Sequence, residues 1–129
     1  MMRTSVDSQE SDQTLSQEGA RGPIRKPIAI TMGDPAGIGP EIILRALARA
    51  PETGLEGPFV VYGCPGWMEA VARRLGLNTG LLEVVPVTEV PEDLPVGQVS
   101  AAGGEAAFQA VYRAAQDAMA GKVRAVVTA

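Results

Sequence analysis

The chain has 129 residues, 46% of them hydrophobic and 20% charged, and carries a formal net charge of -4. That size supports one domain with an aliphatic core, since aromatics are only 4%; the acidity excludes a nucleic-acid binder that works by clustering Lys and Arg on phosphates. Cys64 is the only cysteine and there is no histidine, which excludes an intramolecular disulfide, a Cys-rich zinc site and every Ser-His or Cys-His nucleophile pair.

No apolar run approaches the ~20 residues of a membrane helix, and acids stand where a signal peptide needs its apolar segment. No membrane partner is therefore expected, and a cytoplasmic protein fits. Residues 1–25 are polar and aperiodic, rich in Ser and Gln, with too little apolar surface to offset their ordering entropy. They read as a disordered N-terminal tail, and residues 26–129 as the folded part.

The fold begins after Pro27 with a short apolar run at 28–32, stopped at once by Gly33, Asp34 and Pro35, which suits a buried parallel strand. Pro40 then fits a first helical position, and Ile43, Leu44, Leu47 and Ala48 recur at helical spacing up to Pro51. The unit repeats in kind. Residues 59–62 form a second strand ending in Gly63, and 66–75 a second helix through Met68, Val71, Ala72 and Leu75, stopped by Gly76.

Residues 81–87 read as a third strand, which Pro86 assigns to an edge or an early end. From 91 to 104 the prolines and glycines indicate turns, with a short strand expected at 96–99. A long alanine-rich helix follows over 105–119, with Ala107, Phe108, Val111, Ala114, Ala115 and Ala118 as its apolar stripe, and an apolar strand over 123–128 ends the pattern. Strands alternating with helices predict an α/β fold, an open layered sheet with flanking helices.

One stretch carries functional content. Gly33, Gly37 and Gly39 punctuate the turn between the first strand and the first helix, permitting a tight loop and close approach of a ligand to the backbone. The dinucleotide fingerprint G-x-G-x-x-G fails, because Ile42 stands where the third glycine belongs, and no Lys-Ser or Lys-Thr completes a Walker A loop. Asp34 and Glu41 would oppose a phosphate, so a sugar hydroxyl, an amide or a cationic ring suits Asp34 better. Asp34 before Pro35 also starts turns unaided, and Glu41 also suits a first helical turn through the helix dipole, so the structural readings of both stay open. Cys64, Tyr62 and Trp67 are read as passive packing residues, because no Lys, Arg or His adjoins the thiol and isolated aromatics mostly cover apolar surface.

The run Ile30-Thr31-Met32-Gly33-Asp34-Pro35-Ala36-Gly37-Ile38-Gly39-Pro40-Glu41-Ile42 resembles the opening motif of the 4-hydroxythreonine-4-phosphate dehydrogenase family. Val60-Val61-Tyr62-Gly63 is similar to that family's second strand, and residues 120–129 resemble the helix-to-strand segment before its Pro-x-x-Lys loop. The loop also resembles the shorter Gly-Asp-Gly-Ile-Gly-Pro-Glu motif of isocitrate and isopropylmalate dehydrogenases, so a partial version of that fold is implied. What the resemblance implies in function is NAD-dependent oxidation and decarboxylation of a small phosphorylated hydroxy acid, 4-hydroxythreonine 4-phosphate, in pyridoxine and pyridoxal phosphate biosynthesis. It further implies a homodimer and a divalent metal held by histidines from both subunits.

Gly33, Asp34, Gly37 and Gly39 are the residues expected to bind the cofactor; no catalytic residue and no metal ligand is assigned. Because those histidines do not occur, the chain is expected to be the N-terminal portion of such an enzyme and inactive alone. Two alternatives stand beside this reading. The first keeps the family and changes the substrate to threonate or erythronate 4-phosphate; the second is a free-standing small α/β binding module, favoured if a natural stop codon follows Ala129.

Overall fold

The computed structural model describes residues 25–78 and 82–129. The tail expected over residues 1–25 falls, except for Arg25, outside the described residues, as does the start of the third strand expected at Leu81. In chain order the elements are β1 (Ile28–Thr31), α1 (Gly39–Ala48), α2 (Ala50–Thr53), β2 (Phe59–Gly63), α3 (Pro65–Leu75), β3 (Val84–Pro86), α4 (Ala101–Met119) and β4 (Ala125–Thr128). The strands form one sheet in the order β3-β2-β1-β4, and all three pairings are parallel.

Parallel neighbours need a crossover, and the helices supply it on both faces. On one face α1 and α3 bring Ile43, Leu44, Met68, Val71 and Ala72 against Met32, Val61 and Val84. On the other, Ala110 and Ala114 of α4 pack on Ala29, Val60 and Tyr62. The period-two alternation of the strand sends Ile30 and Met32 to the first face and Ala29 to the second.

Local chemistry sets the helix ends. Pro40 and Pro65 occupy first-turn positions of α1 and α3, where a missing N–H costs nothing. Gly76 closes α3 in the left-handed region at φ 68°, and Ser100 caps α4 by accepting from the Gly103 N–H at 3.0 Å. Pro51 does not simply end the first helix: it lies in the first turn of the four-residue α2.

Three expectations are corrected. No strand forms over 96–99, because the Gly97 backbone turns through φ 82° and Val99 is fully exposed. The long helix starts at Ala101 rather than Glu105, so Gly103 and Gly104 are helical and not turn residues; the Ser100 cap outweighs their low propensity.

The buried stripe of α4 is Gly103, Ala106, Ala110, Ala114 and Asp117; of the expected stripe Ala114 is buried and Ala118 packs against the same cluster, whereas Phe108 and Val111 are exposed. Small residues at i, i+3 and i+4 spacing let the helix lie close to the sheet, where larger side chains would hold it off. Phe108 and Tyr112 instead stack on each other outside, with ring centroids 5.7 Å apart.

The third strand is the three residues Val84–Pro86 and lies at the sheet edge, as Pro86 requires. β4 is the opposite edge, and all four of its residues are exposed, whereas Val123 just before it is buried.

Candidate functional site

From β1 the chain steps outward through β2 to β3, then crosses to the other side of β1 to place β4. That reversal makes the carboxyl ends of β1 and β4 a topological switch point, the position where open α/β sheets take ligands. The loop between β1 and α1 starts there. Gly33, Asp34 and Gly37 lie in this loop and Gly39 opens α1, so the four expected residues stay together as sequence neighbours at the carboxyl end of β1.

Two of the glycines are required by the backbone itself. Gly33 has φ 75°, and a Cβ there would stand 2.8 Å from the Ala129 carbonyl oxygen at the end of β4. A Cβ on Gly39 would run into the Met32 carbonyl oxygen. Gly37 is exposed at the loop tip beside Ile38, which is 73% exposed, so the backbone is open to solvent there.

Asp34 is half-buried, and its Oδ1 accepts from the Ala36 N–H at 2.8 Å while its carbonyl accepts from Gly37 N–H at 3.0 Å. This is an Asx turn, so the structural reading of Asp34 holds. It does not use the whole side chain: Oδ2 accepts no hydrogen bond from the described residues. The carboxylate lies against Gly103 in the first turn of α4, where the helix dipole favours a negative charge. Glu41 pairs with Arg45 one turn on at 2.9 Å, an exposed contact that leaves it as surface chemistry.

Two further anchors fix the loop from behind. The Trp67 indole N–H donates to the Pro35 carbonyl at 3.0 Å in a buried bond, and Gly97 N–H donates to the Ala36 carbonyl at 2.7 Å. Trp67 is therefore more than packing: α3 and the segment before α4 both grip the loop. Cys64 precedes α3 and lines, with Trp67, Arg73, Arg74 and Leu94, an open cleft of about 900 Å³ behind the loop.

Beneath α4, Tyr62 donates to Asp117 Oδ2 at 2.7 Å; Arg113 approaches Asp117 Oδ1 at 3.4 Å and Lys122 at 4.0 Å. Burial, then the bond to Asp117 and its charge, push the Tyr62 hydroxyl well above its usual pKa. This network ties helix to sheet and lies outside the loop. Among the described residues no group of three or more His, Cys, Asp or Glu converges to hold a metal ion.

Sequence reasoning missed Gly103, Ser100, Gly97 and Trp67. A Ser three residues before a helical N–H is a capping signal that could have found Ser100. Nothing local could have found Gly103 or the Trp67 bond, since each meets a residue far away in sequence.

No family model matches the chain. The D-threonate 4-phosphate dehydrogenase of Salmonella typhimurium strain LT2 is 40% identical over 122 residues, covering 81% of this chain and 36% of that protein. The 4-hydroxythreonine-4-phosphate dehydrogenase of Beijerinckia indica is 36% identical over 118 residues, covering 80% and 34%. The solved structure of a 4-hydroxythreonine-4-phosphate dehydrogenase from Burkholderia phymatum superposes with a TM-score of 0.74 at 31% identity, covering 81% of this chain and 36% of that one.

Fold and comparisons together give the class: this is an α/β chain with a parallel sheet, similar to proteins named as dehydrogenases. Its relatives are the 4-hydroxythreonine-4-phosphate dehydrogenases and the D-threonate 4-phosphate dehydrogenases, and it spans about a third of the length of the curated proteins it matches. No helix among the described residues is long and apolar enough to cross a membrane.

Proposed function

We propose that the chain supplies the cofactor-side loop of an NAD-dependent dehydrogenase that oxidises and decarboxylates 4-hydroxythreonine 4-phosphate in pyridoxal phosphate biosynthesis. The observation that carries this reading is the run of Gly33, Asp34, Gly37 and Gly39 at the switch point, with one carboxylate oxygen of Asp34 lacking a hydrogen-bond partner among the described residues. NAD, when bound, supplies the hydride acceptor. This chain's own residues bind and orient it.

Asp34 Oδ1 is held by the Ala36 N–H, which leaves Oδ2 to accept from an amide or a sugar hydroxyl. Gly37 at the tip lets such a group approach the backbone, and the negative charge of Asp34 favours these neutral donors over a phosphate. Trp67 and Gly97 hold the loop in place before the ligand arrives, which lowers the ordering cost of binding.

The metal assistance implied by the resemblance does not fit the described residues, which bring no ligand set together, and no step is derived through it. The same resemblance supports an isocitrate/isopropylmalate dehydrogenase-like fold and a homodimer for the enzyme, and the single cysteine of this chain suits a cytoplasmic location. A second reading, oxidation of D-threonate 4-phosphate, stands beside it because relatives of both names match this chain alike: the D-threonate enzyme of Salmonella typhimurium is 40% identical over 122 residues, and the 4-hydroxythreonine enzyme of Thermosynechococcus vestitus is 41% identical over 108.

The test uses Trp67, the sole tryptophan, whose indole contacts the loop directly. Titrating NAD should change its emission saturably, and Asp34→Ala should weaken the apparent affinity about ten-fold, as loss of one hydrogen-bond acceptor toward a ligand does. No response to NAD, or equal affinity in the variant, overturns the assignment of the loop.

A further inference from the structure

Gly103 lies on α4, 69 positions after Asp34, yet it lies against the Asp34 carboxylate. A Cβ on Gly103 would stand 2.8 Å from both Asp34 Cγ and Asp34 Oδ2, and closer still to Asp34 Oδ1. Those distances lie well inside van der Waals contact, so the carboxylate fills the space that any side chain at 103 would need. Gly104, one position on, has nothing within 4 Å of such a Cβ, so the close approach is specific to one residue of an adjacent pair.

Gly103 is buried, and its N–H is already taken by the Ser100 hydroxyl at 3.0 Å. The contact with Asp34 is therefore one of shape and not a hydrogen bond to that amide. On its other side the same carboxylate is tied by the Ala36 N–H at 2.8 Å. Loop and helix together restrict its orientation.

We infer that Gly103 is a positioning residue for the cofactor loop: the missing side chain leaves the room in which the Asp34 carboxylate is set for an amide or hydroxyl of the nicotinamide cofactor. The inference rests on the cofactor reading of Asp34 given above. A methyl at 103 pushes the carboxylate away, breaks its bond to Ala36 and turns the free acceptor out of line. It also makes the register of α4 a determinant of the loop, although α4 offers no side chain at this point.

The experiment is a double-mutant cycle with Asp34→Ala and Gly103→Ala, read by NAD titration on Trp67 emission and by thermal unfolding. Gly103→Ala alone should weaken NAD binding about ten-fold, within the coupling range of residues in contact. On the Asp34→Ala background, where the space is free, it should weaken binding no further. If Gly103→Ala prevents folding, restored folding in the double variant supports the same contact.

Equal loss of NAD affinity with and without the Asp34 carboxylate overturns the inference, as does unchanged affinity in Gly103→Ala. Should Asp34→Ala leave NAD binding untouched, the cofactor reading fails. A non-additive melting shift then still supports Gly103 as the residue that positions Asp34, and an additive one overturns that too.

Discussion

The Tyr62 hydroxyl at the end of β2 donates a 2.7 Å hydrogen bond to Asp117 near the end of α4, joining residues 55 positions apart in the space between helix and sheet. Both are buried, at 2% and 8% exposure, and Arg113 and Lys122 reach the other carboxylate oxygen from the rim. A hydrogen bond to a charged group in that setting contributes about 1.5–3 kcal/mol. Tyr62→Phe should lose that amount in denaturant unfolding, because Asp117 keeps its charge and loses its buried donor.

The same pair fixes an alkaline limit. Burial and the negative Asp117 raise the Tyr62 pKa above the value of 10.0 it has when unfolded, so the folded state keeps its proton longer. Stability from this group is fully present below pH 10.0 and declines as pH rises through the folded value, where the unfolded chain has already released its proton. The melting temperature should fall above that pH in the parent protein, and by less in Tyr62→Phe; equal slopes in the two would contradict the assignment.

Two glycines should respond in opposite directions. Gly39→Ala drives a methyl into the Met32 carbonyl, a backbone atom that cannot rotate away, and should cost about 1–3 kcal/mol as overpacking does. Gly104→Ala meets open space within α4 and should stabilise by about 0.5–1 kcal/mol through helix propensity. Chemical denaturation of the two variants side by side decides it.

Thr31, at the end of β1, has a fully buried hydroxyl without a hydrogen-bond partner among the described residues. Such a group loses its water and gains nothing in return. Thr31→Val should therefore be neutral or stabilising by up to about 1 kcal/mol. A marked loss of stability would show that the hydroxyl has a use in the fold.

The chain by itself should form no NADH from either 4-hydroxythreonine 4-phosphate or D-threonate 4-phosphate with added divalent metal. The described carboxylates form no metal cluster, and no histidine is present to act as ligand or base. Metal-dependent turnover in a preparation free of host enzyme, abolished by chelator, would contradict this.

The loop and the alternation of strands and helices were legible in the sequence because both are local. Pro40, Pro65 and Gly76 punctuate helices through their own backbone chemistry, and the apolar runs at 28–32 and 59–62 are continuous because both faces of a parallel strand are covered. Asp34 could be singled out beside its glycines for the same reason, and its Asx turn spans only two residues. What the sequence could not show was which side of α4 meets the sheet. Phe108 and Val111 outweigh alanine in any hydrophobicity pattern, yet the buried face of α4 carries Gly103, Ala106, Ala110, Ala114 and Asp117, and Ala110 and Ala114 are what pack on β1 and β2. The strand order, the switch point beside β4 and the wedge of Asp34 against Gly103 are likewise properties of tertiary structure. They arise between residues whose separation along the chain carries no local signal, so only the packed sheet and helices decided them.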